Sequence, residues 1–131
     1  MDQPVDALSG AVVTEAIRIH RELGPGLLES VYELVLAGAL ARRGIEVERQ
    51  TPVDIEFDGL RFAAAFRIDL LVGGKLIVEI KSVEALRAVH AKQLLTYLRL
   101  THRSVGLLLN FSGETMKEGI RRVVNNHRPQ S

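Results

Sequence analysis

Two hydrophobic periodicities alternate along the chain. Between residues 9 and 23, SGAVVTEAIRIHREL, the apolar Val12, Val13, Ala16, Ile17, Ile19 and Leu23 recur at helical spacing. Ser9 stands where an N-cap hydroxyl would accept the free amides of a first turn. GPG at 24–26 stops this helix, and residues 1–8 are expected to form a loose head. A second helix is predicted over LLESVYELVLAGALARRG, with Leu28, Val31, Leu34, Val35, Ala39 and Leu40 apolar. Arg42 and Arg43 suit the negative end of its dipole, and Gly44 its stop.

The period then changes to two. EVERQTPVDIEF alternates, Asp58-Gly59 turns, LRFAAAFRIDLLV returns, Gly73-Gly74 turns again and KLIVEIKSV follows. This is a three-stranded meander, with Pro52 pointing to an edge position or a bend in its first strand. RAVHAKQLLTYLRLT is a third helix, with Val89, Leu94, Leu95 and Leu98 on its apolar side. SVGLLLNF has a continuous apolar centre, the pattern of a strand buried on both faces. GIRRVVNN reads as a short fifth strand, and residues 127–131 as a frayed tail. Helix, helix, three meander strands, helix, strand is the order of an α/β domain around a mixed sheet. One domain is expected over 1–131, with its core at about 11–125.

Composition narrows the chemistry. The 131 residues suit one domain, and the content of 47% hydrophobic and 25% charged residues is ordinary for a globular protein. With no cysteine, disulfides and thiolate metal sites are excluded, which fits a cytoplasmic protein. No secretory signal opens the chain and no apolar run reaches membrane-spanning length, so no membrane partner is expected. Lysine and arginine total 17 against 16 acids, a net charge of +1. That balance gives little support for tight non-specific binding of nucleic acid, but permits a local basic groove.

The unusual feature is LIVEIK at 76–81, an apolar strand that carries Glu79 and Lys81 on one face. On the preceding strand, Arg61, Ala63, Ala65, Arg67 and Asp69 share a face. Pairing across Gly73-Gly74 brings residue i near 147 − i, to within about a residue, so Asp69 lies close to Val78 or Glu79. If the apolar faces look into one core, Asp69, Glu79 and Lys81 emerge together on the other side. Like charges so placed repel unless a proton or cation intervenes. Magnesium or manganese is the expected answer, held by carboxylates with water and phosphate oxygens completing the shell. The bland alternative is a solvated face, because E-x-K alone is common.

Asp69 followed by Glu79-Ile80-Lys81 resembles the PD-(D/E)xK phosphodiesterase superfamily. Gly26-Leu27-Leu28-Glu29-Ser30-Val31-Tyr32 resembles the motif of its GxxExxY members. The resemblance runs from about Ile19 to Val124 through GPGLLESVY, DLLV, VEIKSV, HAKQLLTYL and VGLLLNF. Ile68 stands where the superfamily's name places proline. The resemblance implies a restriction-endonuclease-like α-β-β-β-α-β core. It implies Asp69 and Glu79 as metal ligands and catalytic groups, Lys81 as the catalytic lysine, and Glu29 as the extra acid from the first core helix. Gln93 and Tyr97 match the Q-x-x-x-Y pattern of RecB-like members and, with Tyr32, become supporting or substrate-binding candidates. His20, His90, His102 and His127 form no metal-ligand pair by spacing and read as surface or helix-end residues. No G-x-x-x-x-G-K-[ST] loop is present, so no nucleoside-triphosphate site is expected.

The expected function is metal-dependent hydrolysis of phosphodiester bonds in DNA, less so in RNA, by a metal-activated water. The alternative is a non-catalytic nucleic-acid-binding or protein-interaction module on the same fold. Nucleic acid is the expected partner. A chain this short leaves little room for a separate recognition domain, so specificity would call for a homodimer or another protein.

Overall fold

Turn residues divide the chain. Gly24, Gly44, Asp58, Gly59, Gly73 and Gly74 all have positive φ, where Gly, Asn and Asp pass most easily. Between them the computed structural model, which describes residues 2–127, has α1 (Val5–Leu23), α2 (Glu29–Arg42), β1 (Val47–Phe57), β2 (Leu60–Val72), β3 (Leu76–Lys81), α3 (Ala88–Leu100), β4 (Val105–Asn110), a 3₁₀ turn at Lys117–Gly119 and β5 (Ile120–Val124). The five strands form one sheet in the order β1-β2-β3-β4-β5. β3 and β4 are parallel and the other pairs antiparallel. The parallel pair follows from the α3 crossover, since parallel neighbours cannot be joined by a tight turn. β1 is an edge, as Pro52 predicts.

Helices cover both faces of the sheet. Leu8, Val12, Ala16 and Ile19 of α1 and Tyr32, Leu36 and Leu40 of α2 pack on Leu70, Val72, Leu76, Val78, Ile80, Val105, Leu107 and Leu109. Leu94 and Leu98 of α3 pack on Ile68, Leu71, Ile77 and Leu108. Every residue of β4 is buried, as its continuous apolar run predicts.

Several expectations are corrected. The head is not loose: Pro4 caps α1, the helix starts at Val5, and Leu8 is buried against Gly73. Ser9 is therefore a buried interior residue and not the cap. On α2 the buried side is Tyr32, Glu33, Leu36, Ala37 and Leu40, while Leu28, Val31 and Leu34 are exposed. Val89 is likewise exposed on α3. His127, assigned to the frayed tail, hydrogen-bonds Asp6; residues 128–131 lie outside the described residues.

β1 and β2 pair far beyond the end of β3, so residues 51–66 form a two-stranded ribbon. On the other side of β3, Asn110 of β4 pairs with Lys81, and its carbonyl lies against Gly119. A Cβ on Gly119 would sit 2.0 Å from that oxygen. Gly119→Ala is therefore expected to cost about 3 kcal/mol or more, beyond ordinary overpacking, because the clash is with backbone. Urea unfolding checks this; a change below about 0.5 kcal/mol would refute the close approach.

Candidate active site

β2 and β3 pair over three positions only: Leu70 with Val78, Leu71 with Ile77 and Val72 with Leu76. Where the ladder ends, carboxylates take over the backbone amides. Glu79 Oε2 accepts from the Asp69 N–H at 2.8 Å, and Asp69 Oδ2 accepts from the Ile80 N–H at 2.8 Å. Each acid is thus pinned to the opposite strand by one oxygen. Glu79 Oε1 has no hydrogen-bond partner among the described residues. No buried side-chain oxygen there lacks a partner, so Oε1 retains contact with solvent. The register places Asp69 opposite Glu79, within the residue of latitude the sequence left.

The phase of β2 changes at this point. Ile68 packs under α3, while Leu70, two residues on, packs under α1 and α2. The acids do not emerge on a solvated face, as a one-sided core would require. They stand at the split of a sheet covered on both sides, and β3 is buried throughout except for half-buried Lys81. Burial, then the neighbouring Asp69 charge, pushes the Glu79 carboxyl up to about 8. Burial also raises Asp69, against the Ile80 amide that favours its charged form, and Glu33 adds to the rise.

Glu33 was not singled out in the sequence. It is a buried acid on α2, 4% exposed. It accepts from Gln50 Nε2 at 2.6 Å and pairs with Arg49 at 2.9 Å. Gln50 Nε2 also reaches Asp69 Oδ1, at 3.4 Å. Both oxygens contact one nitrogen, so Glu33 comes within about 6 Å of Asp69. An acid at an inward position of an otherwise apolar helix face was the available signal, and the wrong choice of face on α2 concealed it.

Glu29, the acid expected to join the pair, is exposed in the first turn of α2, and its Oε2 accepts from the Ser82 N–H at 2.8 Å. It holds the chain just past Lys81 instead of contacting Asp69 or Glu79. A cleft of about 560 Å³ lined by Gly26, Leu27, Leu28, Glu29, Ser30 and Ser82 opens there. A cavity of about 630 Å³ at the other end of the sheet, beside Gly74 and Ser104, includes none of these acids. Lys81 forms no ion pair among the described residues and acts on Asp69 and Glu79 only through its field. Asn110 clamps the following segment, donating to Val83 O at 2.9 Å and accepting from Val83 N at 3.1 Å.

The remaining candidates divide. Tyr97 stacks on Phe66 with centroids 4.0 Å apart. Its hydroxyl is pushed up by burial and then by the charges of Glu79 and Asp69, so it borders the site. Gln93 is exposed one turn earlier on α3, and its side chain has no hydrogen-bond partner among the described residues. Tyr32, a candidate for substrate contact, is fully buried and not open to a substrate. It stacks on Phe111 at 4.3 Å and donates to Gly24 O at 2.5 Å, bracing the GPG loop. His90 accepts from the Arg87 N–H at the start of α3, and His20 is buried against Gly113 O.

The sequence profile of the PD-(D/E)XK nuclease superfamily matches residues 6–123. The chain belongs to the PD-(D/E)XK nuclease superfamily. Its mixed α/β sheet is the restriction-endonuclease-like fold. The crystal structure of SSO0001 aligns with a TM-score of 0.50 at 18% identity, taking in 90% of this chain and 66% of that one. At that identity the likeness concerns the fold alone, and this chain spans about two thirds of SSO0001. No curated protein matches the sequence. No helix among the described residues is long and apolar enough to cross a membrane.

PD-(D/E)XK nucleases generally use divalent metal ions. Among the described residues no three acids or histidines are gathered into a ready cation cage. The donors present nevertheless fit a hard cation of the magnesium type, for which one or two protein carboxylates suffice. Asp69 and Glu79 offer carboxylate oxygen alone, on side chains already fixed by backbone amides.

Proposed function

We propose that this PD-(D/E)XK chain hydrolyses phosphodiester bonds in DNA, and less readily in RNA, with magnesium or manganese held by Asp69 and Glu79. The observation that carries the reading is the exchange of ladder hydrogen bonds for two carboxylates at the β2–β3 split. It brings two acids together in a partly dry place, where both ionise only at a cost. A bound divalent cation supplies charge for a phosphoryl oxygen and lowers the pKa of water. The side chains do the rest. Glu79 has Oε1 free and Asp69 has Oδ1 held only by the neutral Gln50 amide. Lys81, with no ion pair among the described residues, directs its ammonium at charge developing on the phosphate. Glu29 and Asn110 fix the segment after Lys81, and Tyr97 borders the two acids.

The Glu29 and Tyr32 motif supports a place among the GxxExxY proteins. Gln93 and Tyr97 on one face of α3 support a RecB-like variant. A cysteine-free chain suits the cytoplasm, and the whole of 1–131 acts as one nuclease domain, paired with a second copy or another protein for specificity.

The test is incubation with single- and double-stranded DNA and RNA in chelator, magnesium and manganese. DNA cleavage that requires the cation and is lost in Asp69→Asn is expected. Cleavage in chelator, or unchanged in Asp69→Asn, would refute the assignment. Binding of nucleic acid without cleavage under any condition would favour the non-catalytic module.

A further inference from the structure

Gln50 has no role in the reading above, yet three features of the structure converge on it. Its neighbours pair in register, Arg49 with Leu70 and Thr51 with Ile68, so Gln50 stands directly across from Asp69. Its φ is +51°, a left-handed conformation uncommon for a residue with a side chain like glutamine's. Arg67 Nη1 donates to its carbonyl at 3.2 Å, securing the backbone there. Finally, its side-chain amide nitrogen bridges the acids of two elements, Glu33 Oε1 at 2.6 Å and Asp69 Oδ1 at 3.4 Å. Left-handed residues held by their surroundings concentrate at functional sites.

We infer that Gln50 is a positioning residue for the proposed reaction. It tethers the Asp69 carboxylate to α2 through Glu33, and so sets the direction of the oxygen that Asp69 offers to a cation. The two ends of the carboxylate are then fixed independently. Oδ2 is held by the Ile80 amide and Oδ1 is steered by Gln50. Arg49 completes the chain by pairing with the other oxygen of Glu33, which leaves Oε1 for the glutamine. A neutral donor suits this place. It holds two acids near one another without an ion pair that would compete with a cation for Asp69.

The inference rests on the cation reading of Asp69 and Glu79, and one experiment separates the two. Wild type, Gln50→Met and Gln50→Gly are compared by calorimetric titration with manganese, by DNA cleavage, and by thermal melts in chelator. Methionine keeps the length of the side chain and loses the donor. Glycine also relieves the left-handed backbone, so it guards against a variant that merely misfolds. Removing a group that orients a metal ligand typically weakens affinity or activity by about 10–100-fold. Manganese dissociation constants raised by about that factor in both variants are expected, with turnover falling in parallel and the Gln50→Gly melt in chelator at or above wild type. Wild-type manganese affinity in either folded variant would overturn the role of Gln50 alone. A lower melt in chelator with unchanged manganese affinity would mark a merely structural residue and overturn it equally. Failure of the wild type to bind manganese would overturn the cation reading and this inference with it.

Discussion

Lys81→Ala is expected to lower phosphodiester hydrolysis by about 10²–10³-fold while manganese still binds, the size of loss seen when one preorganised donor to a transition-state charge is removed. The lysine is placed for this work and for little else. It follows Glu79 by two residues on β3, is half buried, and has no ion pair among the described residues. Its removal therefore breaks no salt bridge, and the fold is expected to survive. Lys81→Arg should rescue poorly, because a planar fork does not reproduce a compact ammonium at the end of a flexible stem. Single-turnover cleavage rates, with manganese titrations on the same preparations, check both statements. Full activity in Lys81→Ala would mean that the acids act without it and that the site is misassigned. Loss of manganese binding in that variant would mean that the lysine holds the acids in place and does not act on the phosphate.

Glu79→Gln is expected to stabilise the metal-free protein at alkaline pH and to abolish its stabilisation by manganese. The Glu79 carboxyl stands at about 8 in the fold against an ordinary value of 4.5, first through burial and then through the Asp69 charge. A carboxyl raised by folding binds its proton more tightly in the native state. Its contribution to stability is fully present below about pH 4.5 and is lost as pH rises through about 8. At about 1.4 kcal/mol per unit, the swing is on the order of a few kcal/mol. Glutamine keeps the shape and can still accept from the Asp69 N–H through its carbonyl, but it does not ionise. In chelator the two proteins should melt close together near pH 5, with the variant increasingly more stable toward pH 8 and 9. Manganese should reverse the order at high pH, since a ligand stabilises only through its affinity for the folded state. Melts that stay parallel from pH 5 to 9 would contradict the perturbed carboxyl. A variant that keeps the full manganese shift would remove Glu79 from the cation site.

What the sequence determined by itself is what local rules govern. Asp58-Gly59 and Gly73-Gly74 set the hairpins because few residue pairs accept positive φ in succession, so the meander and its register were legible to within a residue. The apolar run of β4 pointed to a strand buried on both faces, and it is one. Asp69, across a tight turn from Glu79, was legible as lying within about a residue of it, with Lys81 two positions on. Tertiary structure alone decided which helix face turned inward. On α2, Leu28, Val31 and Leu34 compete with Leu36, Ala37 and Leu40, and a helix apolar on several sides carries no preferred face until the sheet selects one. That selection buried Glu33 beside Asp69 and left Glu29 at the surface, holding Ser82. It also turned Tyr32 into a core residue stacked on Phe111, 79 positions away in the chain. The phase change at Asp69 and the left-handed Gln50 across from it belong to the same class. They arise where β2 leaves β3, and the point at which two strands part depends on the layers packed against them, which no local pattern in either strand encodes.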